Sequence, residues 1–251
     1  MSDTPEILTC SDGRYIAYNK MSGTSPGVVF LSGFKSDMTG SKALALENFC
    51  STRKQAYLRF DYTGHGKSSG DFEDGTIGQW SSDAIMVLDK LCTGPQILVG
   101  SSMGGWIMLL VALARPRKIA GLIGIAAAPD FTENLVKNEF SPDQIDLIEK
   151  QGFIEIPNCY NEEPYKITRA LLDDGLNHLL LKSEIPIECP VRLIHGDKDQ
   201  DVPWETSIRL AKNISSQNVE TLFVKGGDHR LSEPQDLDRL CHTLDSLLAQ
   251  L

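Results

Sequence analysis

The chain has 251 residues, of which 41% are hydrophobic and 23% charged, which excludes a disordered or collagenous chain and provides a sizeable core. Its 34 acidic residues outnumber its 24 basic ones, and the net charge of −10 disfavours non-specific binding to nucleic acid or to anionic membranes. The longest apolar runs, Trp106–Ala114 and Ile119–Ala128, are too short to cross a bilayer, so no integral membrane segment is predicted.

Short β-branched or apolar runs alternate with amphipathic stretches along the chain. The predicted strands are Glu6–Cys10, Tyr15–Lys20, Val28–Leu31, Ala56–Phe60, Gln96–Val99, Gly121–Ile125, Val191–His195 and Thr221–Val224. The predicted helices are Ser41–Lys54, Thr76–Cys92, Met103–Ala114, Glu205–Ile214 and Pro234–Leu248. The first two strands flank the turn Asp12-Gly13 and predict a hairpin. The alternation predicts a single α/β domain over residues 1–251, with a mostly parallel sheet, helices on both faces and functional residues at the C-terminal strand ends.

One stretch, residues 131–188, interrupts this alternation because no strand-like run occurs in it. Ser141-Pro142-Asp143-Gln144 predicts a helix that begins with a capping box and a proline. A second helix is predicted from the apolar spacing of Tyr165–Leu181. We interpret 131–188 as an inserted helical lid, whose apolar side chains either line an acyl groove or pack the lid on the core. These side chains are Phe131, Leu135, Phe140, Ile145, Leu147 and Ile148.

The cysteines and the N-terminus bear on the cellular compartment. The cysteines form no C-x-x-C pair and have no histidine at metal-ligand spacing: Cys10, Cys50, Cys92, Cys159, Cys189 and Cys241. This pattern predicts free thiols in a reducing compartment, with neither a disulfide framework nor a metal site. The N-terminal MSDTPEILTC is polar and acidic, unlike a signal or transit peptide, so any targeting segment is expected to have been removed already.

A candidate nucleophile follows the strand that ends at Val99. There the sequence Gly100-Ser101-Ser102-Met103-Gly104 leads into an apolar helix, which is the G-x-S-x-G pattern in a strand–turn–helix context. The glycines permit a sharp turn that exposes the Ser102 hydroxyl, and the helix N-terminus directs N–H groups at developing negative charge. The alternative is an ordinary helix N-cap, for which serine beside glycine is also suited.

A serine nucleophile needs an adjacent base, and the base needs a group to orient it. Three carboxylates follow the strand that ends at residue 195: Asp197, Asp199 and Asp201. The next strand runs into His229, which completes the chain order serine, acid, histidine. We predict His229 as the base of Ser102, and we interpret His65 and His195 as residues that hold loops by hydrogen bonds.

Five segments of the chain resemble the α/β-hydrolase family along nearly its whole length: LSGFKSDM, DYTGHGKSSG, GSSMGG, HGDKDQDVP and GGDHRLSEP. The resemblance implies the α/β-hydrolase fold and a serine hydrolase that needs no metal or organic cofactor. Through the pattern H-G-x-x-D-x-x-V-P it implies Asp199 as the acid, with Asp197 and Asp201 as alternatives. It also implies the backbone N–H groups of Phe34 and Met103 as oxyanion donors. Many members have His-Gly where this chain has Ser32-Gly33, a change expected to affect loop support more than the donor amide.

Within that family, the sequence resembles the mitochondrial branch that acts as acyl-glucuronide esterase and protein depalmitoylase. This implies hydrolysis of esters and thioesters through an acyl-enzyme on Ser102. The expected substrates are small-molecule acyl esters, including acyl glucuronides, and S-acylated proteins. It also implies a mitochondrial location, with the cytoplasm as the alternative. Two other functions fit the same fold, namely a carbon–carbon bond hydrolase that uses the same triad and a ligand receptor without catalysis.

Overall fold

The strands and helices follow the predicted order along the chain. The computed structural model describes residues 4–156 and 164–251, and Cys159, predicted as a free thiol, lies outside them. The strands are β1 (Glu6–Thr9), β2 (Tyr15–Met21), β3 (Thr24–Leu31), β4 (Gln55–Phe60), β5 (Gln96–Ser101), β6 (Ile119–Ile125), β7 (Phe153–Ile156), β8 (Tyr165–Thr168), β9 (Val191–Gly196) and β10 (Val219–Val224). The helices are α1 (Ser41–Arg53), α2 (Ile77–Leu91), α3 (Met103–Ala114), α4 (Phe131–Asn134), α5 (Pro142–Gln151), α6 (Arg169–Gly175), α7 (Glu205–Asn213) and α8 (Pro234–Leu248).

A mixed sheet of eight strands runs through the protein in the order β1-β2-β4-β3-β5-β6-β9-β10. β2 pairs in antiparallel fashion with β1 and with β4, and every other pair in this sheet is parallel. The predicted N-terminal hairpin and the mostly parallel sheet are therefore confirmed. Because β3, β5, β6, β9 and β10 run in one direction, the loops that follow them meet at one edge of the sheet.

Two layers of apolar side chains cover the sheet, one on each face. In β3, Val29 and Leu31 pack in a cluster with residues of α2 and α3, while Val28 and Phe30 pack in a second cluster with residues of α1 and α8. This division follows from the strand geometry, in which successive side chains point to opposite faces. The central strand β5 is buried on both faces, which explains its unbroken apolar run at 97–99. The prediction of helices on both faces is confirmed.

The segment between β6 and β9 differs from the sequence prediction in two respects. The prediction that 131–188 contains no strand is wrong, because β7 and β8 pair there as an antiparallel hairpin outside the main sheet. The helix predicted over Tyr165–Leu181 begins only at Arg169, since the side chain of Thr168 accepts a hydrogen bond from the N–H of Leu171 and caps α6. The strand before it is Tyr-Lys-Ile-Thr, whose β-branched and aromatic residues favour extended backbone. The predicted capping box at Ser141 is present.

The cysteines described in the structure are dispersed over several elements. They are unpaired thiols, namely Cys10, Cys50, Cys92, Cys189 and Cys241. Burial raises the pKa of Cys50 to about 12, and burial likewise raises the pKa of Cys92 to about 11. Thiols with such high pKa values are weak nucleophiles at neutral pH. These two thiols are therefore packing residues rather than reactive groups.

Candidate active site

Ser102 lies in a strained turn between β5 and α3. Its backbone has φ 55° and ψ −120°, a conformation that residues other than glycine rarely adopt. The turn is tight on both sides: a Cβ atom at Gly100 would collide with the backbone of Gly104, and one at Gly104 would collide with the carbonyl oxygens of Leu31 and Ser32. The two glycines of the motif therefore let the end of β5, the start of α3 and the end of β3 approach one another closely.

The close approach at Gly104 predicts a large loss of stability in Gly104→Ala. The added methyl group meets backbone atoms of β3, which cannot rotate away, so we expect the free energy of unfolding to fall by about 3 kcal/mol. Gly40→Ala is the matched control, because Gly40 has φ −59° and its Cβ would meet only the carbonyl oxygen of Asp37, at 3.6 Å. Urea denaturation of the two variants beside the wild type measures both effects. Equal midpoints for Gly104→Ala and Gly40→Ala would contradict this account of the turn.

Ser102, His229 and Asp199 lie in one hydrogen-bonded chain, although they are far apart in sequence. His229 Nε2 is 3.0 Å from Ser102 Oγ, and His229 Nδ1 is 2.8 Å from Asp199 Oδ2. Since a carboxylate only accepts, Nδ1 carries the proton, and Nε2 is left to accept from the serine hydroxyl. The structure thus brings together the three residues predicted from the sequence, in the geometry that activates a serine.

The Asp199 side chain is completely buried, and several N–H groups stabilise its charge. Its Oδ1 accepts hydrogen bonds from the backbone N–H groups of Asp201 (2.9 Å) and Val202 (2.8 Å). Burial alone raises the pKa of Asp199, but the hydrogen bonds from His195 and His229 outweigh it and hold that pKa well below its ordinary value. Asp199 is therefore ionised at neutral pH and can stabilise a positive imidazolium at His229.

The two alternative acids have other surroundings. Asp197 Oδ1 accepts a hydrogen bond from the N–H of Gly226, which joins the turn after β9 to the turn after β10. Asp201 is exposed, but its carboxylate lies close enough to Asp199 and His229 that their ligand atoms are all within 4.8 Å. Among the described residues this is the one group with metal-like spacing. Both ring nitrogens of His229 are already engaged by hydrogen bonds, so the group fits the serine–histidine–aspartate chain better than a metal site.

Phe34 and Met103, the predicted oxyanion donors, lie on either side of Ser102 in sequence and both line the cavity at its hydroxyl. Met103 is the first residue of α3, where backbone N–H groups have no acceptor within the helix. Phe34 follows Gly33, at which a Cβ would lie 3.4 Å from the Cβ of Ser102. The Phe34 ring is held edge-on by four aromatic rings at centroid distances of 4.8–6.0 Å, those of Phe72, Trp80, Phe131 and Tyr165.

The loop that carries Phe34 also contains the departure from the family pattern. Ser32 is buried, and its Oγ has no hydrogen-bond partner within residues 4–156 and 164–251. Its backbone carbonyl oxygen would collide with a Cβ atom at Gly104, as described above. The residue therefore acts through backbone packing, and its side chain adds no hydrogen bond to the described part of the loop.

A cavity of about 710 Å³ opens around Ser102 and His229. The segment between β6 and β9 supplies much of its apolar wall. Of the apolar residues predicted for the lid, Phe131 and Leu135 line it, whereas Leu147 is exposed and Ile148 is buried in the core. The hairpin adds three lining residues that the sequence analysis missed, Ile156, Tyr165 and Ile167. The β-branched and aromatic content of β7 (Phe-Ile-Glu-Ile) and β8 (Tyr-Lys-Ile-Thr) was the available signal for them, and each run is only four residues long.

His65, interpreted from the sequence as a residue that holds a loop by hydrogen bonds, has its Nδ1 3.3 Å from the backbone carbonyl oxygen of Thr63. Its ring packs edge-on against Tyr62, Phe72 and Trp80, and burial lowers its pKa to about 4. It is therefore neutral at physiological pH and belongs to the aromatic core beneath the Phe34 loop.

These features are those of a hydrolase that uses a serine nucleophile, and comparison with known proteins gives the family. The chain belongs to the alpha/beta hydrolase family, whose model matches residues 28–241. It is therefore an enzyme of the hydrolase class. Among the described residues, no helix combines the length and the apolar character needed to span a bilayer.

Curated mammalian relatives match almost the whole chain. The mitochondrial palmitoyl-protein thioesterase ABHD10 of Bos taurus is 44% identical over 248 residues, which cover 98% of this chain and 80% of the relative. The Homo sapiens protein of the same name is 42% identical over 249 residues, with the same coverage. The names of these relatives support the mitochondrial location implied by the sequence resemblance.

Solved structures match equally well. Mouse alpha/beta hydrolase domain-containing protein 10 superposes with a TM-score of 0.92 at 40% identity, covering 98% of this chain and 99% of the mouse chain. A putative hydrolase from Agrobacterium vitis superposes with a TM-score of 0.93 at 36% identity, covering 97% and 98% of the two chains. The predicted α/β-hydrolase fold is confirmed.

Proposed function

We propose that the protein is a thioesterase that removes long acyl groups from S-acylated protein cysteines through an acyl-enzyme on Ser102. The observation that carries this proposal is the 3.0 Å contact between His229 Nε2 and the hydroxyl of a serine held in a strained turn. Relatives that are 42–44% identical over nearly the whole chain are named palmitoyl-protein thioesterases, which supports the substrate class.

In the proposed reaction, His229 carries one proton during formation of the acyl-enzyme and one during its hydrolysis. His229 Nε2 takes the Ser102 proton as Oγ attacks the thioester carbonyl carbon, and the carbonyl oxygen becomes an oxyanion that the Phe34 and Met103 N–H groups stabilise. Asp199 holds the resulting imidazolium, which gives its proton to the departing sulfur as the carbon–sulfur bond breaks. A water molecule then attacks the carbonyl carbon of the acyl-enzyme while His229 takes a proton from that water. His229 returns this proton to Ser102 Oγ as the bond to the acyl group breaks, and the fatty acid is released.

We further propose that 131–188 acts as a lid whose inner face binds the acyl chain. The contribution of Phe131, Leu135 and the β7–β8 hairpin to the cavity wall supports this, since the chain would pass from Ser102 along these side chains. A volume of about 710 Å³ lies within the roughly 300–1,000 Å³ typical of small-molecule sites. Acyl glucuronides would form the same acyl-enzyme with a sugar hydroxyl as the leaving group, and the side chains of Lys42 and Arg209 on the cavity wall offer positive charge to a carboxylate sugar.

Hydrolysis of S-acyl peptides of different chain length tests this function. The wild type is expected to release palmitate and to prefer S-palmitoyl over S-acetyl peptides, because each buried methylene contributes about 0.8 kcal/mol. Leu135→Trp, which fills the cavity wall, is expected to lower kcat/KM for the palmitoyl peptide far more than for the acetyl peptide. Leu147→Trp, on the exposed side of α5, is the matched control and is expected to keep the wild-type preference.

The same samples distinguish the alternatives. Turnover of a vinylogous diketone without turnover of thioesters would indicate a carbon–carbon bond hydrolase. A folded wild type that neither hydrolyses acyl substrates nor reacts with a fluorophosphonate probe would indicate a receptor. Equal loss of chain-length preference in Leu135→Trp and Leu147→Trp would contradict the proposed acyl site.

A further inference from the structure

Two imidazole rings share one oxygen of the Asp199 carboxylate. Oδ2 is 2.8 Å from His229 Nδ1 and 3.1 Å from His195 Nε2. His195 lies near the C-terminal end of β9 and is completely buried, and the reaction proposed above makes no use of it. A buried histidine in direct contact with the orienting acid of the triad therefore calls for a role.

The hydrogen bonds of His195 fix the position of its proton. Nε2 is also 3.0 Å from the backbone carbonyl oxygen of Val202, and Nδ1 is 2.7 Å from Ser207 Oγ. A carboxylate and a carbonyl oxygen accept but do not donate, so Nε2 carries the hydrogen. Nδ1 then accepts from the Ser207 hydroxyl. The ring is thus held as one neutral tautomer that donates to Asp199.

We propose, resting on the function proposed above, that His195 is a positioning residue that donates to Asp199 Oδ2 and limits the negative charge this oxygen presents to His229. The first consequence is geometric, since the ring joins β9, the 199–202 turn and, through Ser207, helix α7. The second is electrostatic. A donor on Oδ2 weakens the stabilisation that this oxygen gives to the imidazolium formed at His229 during the reaction.

The other hydrogen bonds of the Asp199 carboxylate are consistent with this role of His195. Oδ1 is occupied by the backbone N–H groups of Asp201 and Val202, so His195 and His229 are the side-chain donors, and both act on Oδ2. The other charged groups that line the cavity with His229 are Lys35, Asp37, Lys42, Asp130, Glu133, Lys137, Glu139, Lys182, Asp201, Arg209 and Arg230. The variants chosen below leave all of these groups in place, so a changed pH dependence reports on the contact with His195.

The test compares His195→Leu, which has no donor, with His195→Gln, whose side-chain amide can donate from nearly the position of Nε2. The measurement is kcat/KM for an S-palmitoyl peptide as a function of pH. His195→Leu is expected to lose about tenfold in kcat/KM, which is the lower end of the loss that follows when the hydrogen-bond partners of metal-bound side chains are removed. The midpoint of its acid limb is expected to move to higher pH by at least about half a unit. His195→Gln is expected to return both quantities towards wild type.

Thermal unfolding of each variant separates positioning from folding. A folded His195→Leu protein with an unshifted acid limb would overturn the proposal, and so would a His195→Gln protein impaired as much as His195→Leu. If His195→Leu does not fold, Ser207→Ala replaces it. Without the hydroxyl that fixes the tautomer, a smaller shift in the same direction is expected, and an unchanged profile would overturn the proposal. Wild-type activity towards the peptide keeps this outcome distinct from failure of the proposed function.

Discussion

Ser102→Ala is expected to lower kcat for S-palmitoyl peptide hydrolysis by about 10⁶-fold, because the variant has no atom on which an acyl-enzyme can form. Any residual rate would come from the oxyanion donors and from substrate binding, which the substitution leaves in place. Labelling by a fluorophosphonate probe should disappear with the activity. Measurement of palmitate release by mass spectrometry covers the range of rates needed to detect so large a loss.

Ser101→Ala is the matched control for this variant. Ser101 is the last residue of β5, is buried beside the turn and has no place in the hydrogen-bonded chain of Ser102, His229 and Asp199. It should keep most of the activity and all of the labelling. Both variants should unfold near the wild-type temperature, since alanine differs from serine by one hydroxyl and keeps the same backbone. Undiminished hydrolysis by folded Ser102→Ala protein would remove the proposed mechanism.

The sequence was informative about this site because its residues stand in short motifs at strand ends. Ser102 is flanked by glycines that the structure requires for close backbone approach, and this requirement is visible in the sequence. His229 follows a strand at the position that a parallel sheet brings to the edge occupied by Ser102. The sequence was less informative about which carboxylate orients His229, because three of them follow β9 within five residues: Asp197, Asp199 and Asp201. Spacing alone could not decide which side chain faces His229.

Other parts of the site could not be predicted, because they depend on contacts between distant segments. β7 and β8 are strands of four residues that are stable only as a pair, so neither gives a strong periodic signal. For the same reason the cavity-lining roles of Ile156 and Tyr165 were missed. His195 was predicted to hold loops by hydrogen bonds. Its partner Asp199, however, is set by the turn at 199–202 rather than by any local pattern.

Asp199→Asn is expected to lower kcat by about 10⁴-fold, the effect of the same change in other serine triads. The amide has no negative charge with which to stabilise the imidazolium. Its NH₂ group can also donate to His229 Nδ1, which would place the ring proton on Nε2 and leave no acceptor for the Ser102 hydroxyl. Asp197→Asn and Asp201→Asn are the matched controls, and each should keep activity within about tenfold of wild type, since neither removes the hydrogen bond to Nδ1.

The same substitution should make stability depend on pH in a defined way. The pKa of Asp199 is lower in the folded protein than the ordinary value of about 3.9 expected in the unfolded chain. The unfolded chain therefore binds the proton more readily, and the stabilisation by the ionised carboxylate is fully present above pH 4 and lost as the pH falls through the folded value. Asp199→Asn should accordingly be less stable than wild type at pH 7, and the difference between them should shrink below pH 4. Denaturation curves across this range measure the difference. A constant difference at all pH values, or a loss of activity in Asp201→Asn as large as in Asp199→Asn, would mean that Asp199 is not the ionised partner of His229.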